Sequence, residues 1–352
     1  MNENLSARHV LSGRSKSVMS IVLNRPEAIN SLSESMIDAI DRLLDEAAAD
    51  PACRLVLFYS KSDKGFCAGG DVKQLARLSV EGNFAGVDSF FTKEYALDLK
   101  IHLFPKPVVV LADGITMGGG LGITAGADLR VATERTRMAM PETRIGFFPD
   151  VGSTGWMFSR CPKGYPEYLG LTGYDMRAGE CVRLGFADVL TRSGDKSALI
   201  ESLETFEPEA GLDKEALVKR LGGRISGFCL PDIPRDESMD RWVEQYFAGR
   251  TDVRGILDEL SHCTQQQAHC ADVFASIGER SPTALVLTLA LLRRNENRPI
   301  SDVFAAELKA SRFMSRHPDY VEGIRARLID RDDNPKWNPP FLDQVDPTGF
   351  VF

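Results

Sequence analysis

The sequence predicts an α/β fold, and three observations carry that expectation. Short apolar runs at Val18–Leu23, 55–59 and Val108–Ala112 alternate with stretches of helical periodicity. The second and third runs each lead into a glycine-rich turn, Gly69-Gly70 and Gly118-Gly119-Gly120. From about Glu207 the texture changes to successive amphipathic helices punctuated by Pro or Gly. The chain therefore reads as a mixed region, residues 1–206, and a helical C-terminal region, residues 207–352.

Each element has its own warrant. Val18–Leu23 is a strand that Asn24-Arg25-Pro26 ends. Ser31-Leu32-Ser33-Glu34 has the spacing of a capping box, and Met36, Ile37, Ile40, Leu43, Leu44 and Ala47 follow on one helical face until Asp50-Pro51. The run at 55–59 is apolar throughout, which fits a strand buried on both faces. Residues 74–105 read as one helix ending at Pro105, with Leu97, Ile101 and Phe104 on its apolar face. After Val108–Ala112, three consecutive glycines open a helical segment. Their oriented N–H groups and the positive end of the helix dipole suit an anion, or an oxygen that becomes anionic. Short strands are expected near 129–132, 137–140 and 188–191, with a loop at 141–152 that carries Glu142 and Asp150.

Bulk properties narrow the function. With 352 residues the chain can bury a large core, and 43% hydrophobic and 26% charged residues are ordinary for a globular protein. A net charge of −8 argues against a nucleic-acid or anionic-membrane surface. No apolar run approaches the roughly 20 residues needed to span a bilayer. Residues 1–16 are polar and lack a signal-peptide core, so the expected location is cytoplasmic. Seven cysteines without CxxC spacing suggest reduced thiols.

Two glycine turns, each ending a buried strand, can present two backbone N–H groups to one substrate oxygen, and Glu142 and Asp150 supply acid–base groups nearby in sequence. The same residues also have plain readings. Gly118–Gly120 can serve tight packing, Gly69-Gly70 a loop, Asp150 a helix N-cap, and Glu142, Glu94 and Lys73 solvated charge. His262-Cys263 and His269-Cys270 sit seven apart, but the polar run between them and the lack of another ligand pair make a metal site the poorer reading. Cys67 has no His companion in sequence and reads as a small packing residue; no GxSxG elbow occurs.

The ordered motifs Asn24-Arg-Pro…Asn30-Ser-Leu, Phe66-Cys-Ala-Gly-Gly-Asp-Val72, Gly114-Ile-Thr-Met-Gly-Gly-Gly120 and Met140-Pro-Glu-Thr143 together resemble the crotonase (enoyl-CoA hydratase/isomerase) superfamily. Within it, Gly146-Phe-Phe-Pro-Asp-Val-Gly152, Ser281-Pro-Thr-Ala-Leu285, Tyr320-Val-Glu-Gly-Ile-Arg-Ala326 and Asn334-Pro-Lys-Trp337 are similar to the 3-hydroxyisobutyryl-CoA hydrolase branch. The resemblance runs from about residue 17 to 340. It implies a spiral of ββα units followed by a helical C-terminal region. It also implies an oxyanion hole from the N–H groups of Gly70 and Gly119, catalytic carboxyls Glu142 and Asp150, and substrate contacts from Glu94, Gly119 and Lys73, the last at the adenine end of CoA. Gly122 stands where hydratases of the superfamily carry their first catalytic glutamate, which turns the expectation from hydration to thioester hydrolysis.

On that reading the substrate is a short β-hydroxyacyl-CoA, 3-hydroxyisobutyryl-CoA of valine breakdown foremost. No metal or separate cofactor is expected, because CoA is part of the substrate. Glu142 acts as general base or as nucleophile, and the sequence leaves both routes open. The alternatives are an enoyl-CoA hydratase or isomerase and a non-catalytic acyl-CoA-binding protein. No nucleic-acid or membrane partner is expected, and a homo-oligomer is one assembly that the resemblance allows.

Overall fold

A computed structural model of the chain describes residues 8–231, 233–350 and 352. Its strands are β1 (Val10–Ser15), β2 (Val18–Leu23), β3 (Leu55–Ser60), β4 (Gly65–Cys67), β5 (Val108–Ala112), β6 (Ile115–Met117), β7 (Leu129–Thr133), β8 (Arg137–Ala139), β9 (Met176–Arg177) and β10 (Val189–Thr191). They form a six-stranded sheet in the order β1-β2-β3-β5-β7-β10 and a four-stranded sheet in the order β4-β6-β8-β9. The pairs β3–β4, β5–β6 and β7–β8 each give one strand to the larger sheet and the next to the smaller. Helix α1 (Glu34–Ala49) follows β2, α2 (Val72–Val80) and α3 (Phe84–His102) follow β4, and α4 (Gly119–Gly126) follows β6. The result is the repeated strand–strand–helix order expected from the sequence. From β2 to β10 the larger sheet is parallel, and such strands, covered on both faces, are apolar without alternation.

The remaining helices are α5 (Ser153–Arg160), α6 (Tyr165–Thr172), α7 (Gly179–Arg183), α8 (Lys196–Glu204), α9 (Lys214–Ile225), α10 (Glu237–Phe247), α11 (Val253–Ser261), α12 (Gln267–Gly278), α13 (Pro282–Asn295), α14 (Ile300–Met314) and α15 (Pro318–Ile324). Packing divides the chain into two interleaved units. Unit 1 comprises Met1–Gly70, Ala96–Met138 and Met176–Pro234; unit 2 comprises Asp71–Tyr95, Ala139–Asp175 and Arg235–Phe352. The sheets belong to unit 1 apart from Ala139. In its core, alternate residues of the strands (Leu55 and Leu57, Val109 and Leu111, Leu129 and Val131) meet Leu199 and Leu203 of α8 and Leu217 and Leu221 of α9. That period of two is the pleat, and it gives one sheet face a continuous apolar cover. Unit 2 is helical apart from its turns. The change of texture at 206/207 is a different property from this grouping. After it, the described regular elements are helices, and the first of them, α9, falls in unit 1.

Several expectations are corrected. The sheet begins at β1, one strand before Val18–Leu23, the first strand expected: β1 pairs antiparallel with β2 through a two-residue turn in which Lys16 takes φ +50°. Its Ser12, Gly13 and Arg14 are exposed, as befits an edge strand, so no apolar run marks it. The N-cap of α1 is Ser33, whose hydroxyl accepts the Met36 N–H at 3.3 Å, rather than Ser31. The single helix expected over 74–105 is two, α2 and α3, separated where Gly82 takes φ +70°. The cysteines are not all reduced either: Cys263 and Cys270 are joined as a disulfide. Cys263 lies in the loop before α12 and Cys270 on the first turn of that helix, which brings the two together.

Candidate active site

In unit 1 the two glycine turns lie side by side. The loop after β2 holds the first of them. Asn30 is buried, its Nδ2 donates to Ser60 Oγ (2.7 Å) and the Phe66 carbonyl (2.8 Å), and its Oδ1 accepts the Arg25 N–H (2.7 Å). The main chain adds Ala68 N–H to Ile29 O (2.9 Å) and Leu32 N–H to Gly69 O (2.7 Å). The Asn-Arg-Pro…Asn-Ser-Leu motif is therefore the clamp of the Phe66–Gly70 turn. A Cβ built on Gly69 would sit 3.1 Å from the Met117 carbonyl and 3.4 Å from the Gly119 nitrogen, so the first turn abuts the second.

The second turn needs its glycines. Gly118 caps α4 with φ 47° and ψ −124°, a conformation that favours glycine. Gly119 is then the first helical residue, and its N–H has no acceptor within the helix. Gly122 is required for space. A Cβ there would collide with the carboxylate of Asp98, whose Cγ would lie 2.7 Å away. Asp98 itself is fully buried on α3. The position from which a hydratase-type glutamate would project is thus filled by a carboxyl from another element. Cys67, also buried, lies with Sγ 3.2 Å from the Asn30 carbonyl.

In unit 2 the structure brings Glu94, Glu142 and Asp150 into one acidic cluster, at 2%, 7% and 5% exposure. Glu94 stands on α3, Glu142 opens the short 3₁₀ turn Glu142–Ile145, and Asp150 precedes α5. Asp150 is not the cap of that helix, which is Gly152; its carboxyl instead accepts the Tyr95 hydroxyl at 2.7 Å. Burial pushes Asp150 up to about 7, against the opposing pull of the Tyr95 hydroxyl and its own backbone. Glu142 is raised well above the usual carboxylate range, first by burial and then by the charge of Asp150. Glu94 is raised in the same way, by burial and then by Asp150. Such a set retains a proton near neutral pH and shares it among its members.

Three buried polar atoms of this unit, Glu94 Oε1, Glu142 Oε2 and Tyr320 Oη, have no hydrogen-bond partner among the described residues. Unsatisfied groups at this depth cost free energy unless a ligand or water meets them, and they concentrate at functional sites. Around them Phe91 stacks on Phe147 (centroids 5.2 Å apart), and Phe147 leans on Tyr320 (5.3 Å). These rings keep the dielectric low, which favours the neutral form of the acids.

The C-terminal motifs back the Glu142 turn. Ile145 and Gly146 pack against Gly323 and Asp319. Asp319 accepts Ser281 Oγ at 2.5 Å and the Asn338 N–H at 2.7 Å, and Trp337 Nε1 donates to the Glu279 carbonyl at 3.0 Å. Lys73 stands exposed on the first turn of α2. The sequence reading missed three residues. Tyr95 follows Glu94 directly, Tyr320 opens a motif that was noticed but given no task, and Glu307 on α14 sits in an ordinary amphipathic pattern that offered no signal.

Against known proteins, the sequence model of the enoyl-CoA hydratase/isomerase family matches residues 18–350. The chain is 34% identical to the 3-hydroxyisobutyryl-CoA hydrolase, mitochondrial, of Gallus gallus, over 97% of this chain and 87% of that protein. It is 33% identical to the protein of the same name from Rattus norvegicus, over 98% and 88%. Among solved structures, a carnitinyl-CoA dehydratase from Mycobacterium thermoresistibile superposes with a TM-score of 0.84 at 31% identity, covering 97% of this chain and 94% of that one. An enoyl-CoA hydratase from Rhodobacter sphaeroides 2.4.1 does so with 0.83 at 32% identity, covering 97% and 95%. With the strand–strand–helix repeat, the paired glycine turns and a match spanning nearly the whole sequence, the chain belongs to the enoyl-CoA hydratase/isomerase family.

Proposed function

We propose that this protein hydrolyses a short β-hydroxyacyl-CoA thioester, with 3-hydroxyisobutyryl-CoA as substrate and 3-hydroxyisobutyrate and CoA as products, a step of valine breakdown. One observation carries the choice of hydrolysis: Gly122 has no room for a side chain because Asp98 fills it. A two-carboxylate hydration site built on that helix is therefore absent. The names of the two vertebrate relatives support the substrate.

In this reading the N–H groups of Gly70 and Gly119 receive the thioester oxygen as it turns anionic, a contact worth about 3–4 kcal/mol per donor. Glu142 takes a proton from water, the hydroxide adds to the carbonyl carbon, and the C–S bond breaks with the proton passing to the thiolate. The attack of Glu142 itself, through an anhydride that water then opens, conserves the same atoms. Asp150 orients the β-hydroxyl or the water. Glu94 contacts the acyl group, and Lys73 meets the adenine end of CoA. CoA enters as part of the substrate, and no separate cofactor is required. Cytoplasmic location is part of the proposal; the relatives are named mitochondrial, and cell fractionation decides it.

The test is thiol release from a panel of acyl-CoA thioesters of different length, with and without a β-hydroxyl. Rapid CoA release confined to short β-hydroxyacyl thioesters supports the reading. The names of the two solved structures favour hydration as the second reading, and a change in crotonyl-CoA absorbance without thiol release would establish that instead.

A further inference from the structure

A fourth buried carboxyl of unit 2, Glu307, has no task in the reaction above. It is fully buried on α14, yet both its oxygens are engaged. Oε2 accepts the Gly152 N–H at 2.6 Å; Oε1 accepts the Thr154 N–H at 3.1 Å and the Thr154 hydroxyl at 2.5 Å. These donors open α5, whose cap residue Gly152 has no side chain to satisfy them. The cap is supplied from another helix.

The turn so held is unusual. Val151, between Asp150 and Gly152, takes φ +52°. A β-branched residue in the left-handed region is strained by about 1–3 kcal/mol and persists only where its surroundings enforce it. Here Trp156 Nε1 donates to the Val151 carbonyl at 3.2 Å, the Ser153 N–H reaches the Asp150 carbonyl at 2.9 Å, and Glu307 fixes the next N–H. Ile300, Val303 and Phe304, on the same face of α14, pack on Gly152 and Gly155. At the other end of the turn the Asp150 carboxyl meets the Tyr95 hydroxyl.

We infer that Glu307 is the positioning residue for Asp150: by accepting the Gly152 and Thr154 donors it holds Val151 left-handed and so keeps the Asp150 carboxyl on Tyr95. An Asn or Thr would satisfy a surface cap. A buried carboxyl, with two acceptor oxygens and no donor when ionised, holds the whole set of donors at once. Burial first, and then the neighbouring Asp150 charge, push Glu307 up to about 8 against the Gly152 and Thr154 donors, which favour the ionised form. The full acceptor set is therefore present above that pH, and the variant is compared with wild type there.

The inference rests on the hydrolase reading for its kinetic arm and stands apart from it in its structural arm. Glu307→Gln keeps volume but presents one acceptor and one donor to three donors. Expected is a fall of kcat by about tenfold or more with KM changed by less than about twofold, as for a misplaced group far from binding contacts. That loss should vanish when Asp150→Asn is already present, because Glu307 acts through Asp150. A loss that multiplies with that of Asp150→Asn overturns the inference. So does a crystal structure of the Glu307→Gln protein with Val151 still left-handed and Tyr95 still on Asp150. If wild type releases no CoA, the hydrolase reading fails and the crystal structure still decides. Should Glu307→Gln not fold, Thr154→Ala removes one donor and is judged by the same two readings.

Discussion

In unit 1 the groups proposed to meet negative charge are main-chain donors, the N–H groups at Gly70 and Gly119, whereas unit 2 gathers Glu94, Glu142, Asp150 and Glu307, four buried acids. The donors of unit 1 carry no titratable proton and demand only room, which glycine supplies. The acids of unit 2 behave as they do because burial raises every one of them, and the charge of Asp150 raises Glu94, Glu142 and Glu307 further. The glycine donors of unit 1 do not respond to pH and are sensitive to a single added methyl; the acids of unit 2 respond to pH. Polarity fixed in the backbone and polarity tuned by burial should therefore fail in different ways when perturbed.

The sharpest break is in unit 2. Glu142→Gln keeps the shape of the buried turn and removes its proton acceptor. Turnover measured by CoA release should fall by about 10³-fold, the range of a lost general base, while acyl-CoA binding by calorimetry persists. Unchanged turnover would remove Glu142 from the chemistry. Unit 1 is tested by Gly119→Pro. Proline is tolerated at the first position of a helix and deletes the N–H there, but its ring also crowds the abutting Gly69 turn. Loss of one oxyanion donor predicts a fall in kcat of about 10²-fold or more, with some loss of thermal stability and no change in the pH profile. A shifted profile would show that the glycine turn and the acids are not separable in this way.

The same contrast explains what the sequence discloses. Gly70 and Gly119 are legible because glycines clustered at strand ends have few uses, and the apolar runs that lead to them mark the strands. Glu142 and Asp150 stand out only through their ordered motifs; alone, each looks like a solvated charge or a cap. Glu94 has the pattern of a surface residue, and its burial comes from tertiary packing, in which Phe147, and Tyr320 behind it, come from distant segments onto Phe91 of the same helix. Glu307 lies more than 150 positions beyond the turn it holds. Asp98 reaches Gly122 from another helix, so the absence of a glutamate at 122 is visible in the chain, but its replacement in space is not. Strand β1 escapes for a simpler reason: an edge strand has too few apolar residues to show a run.

That replacement offers a smaller test in unit 1. A methyl at 122 must push a buried carboxylate, so Gly122→Ala should lower stability by about 1–3 kcal/mol in urea unfolding. In an Asp98→Ala background most of that cost should disappear, since the obstructing group has gone. If the cost is the same in both backgrounds, the Asp98 contact is not what excludes a side chain from this position.

The mildest effect is a displacement of the pH profile in unit 2. Asp150, raised to about 7, adds its charge to the burial that already holds Glu142 above the ordinary carboxylate range. For Glu142 to accept a proton it must first lose its own, so activity should rise with pH along an acid limb. That limb belongs to the coupled pair rather than to either residue. Asp150→Asn keeps the shape and removes the repelling charge. Ionisation of Glu142 then becomes easier, and the limb of kcat/KM should move to lower pH even as the maximal rate falls. Glu142 stays buried, so the limb should remain above the position of an exposed glutamate. A limb that stays where it was, or moves to higher pH, would mean that burial alone sets the proton affinity of Glu142 and that Asp150 serves only to orient.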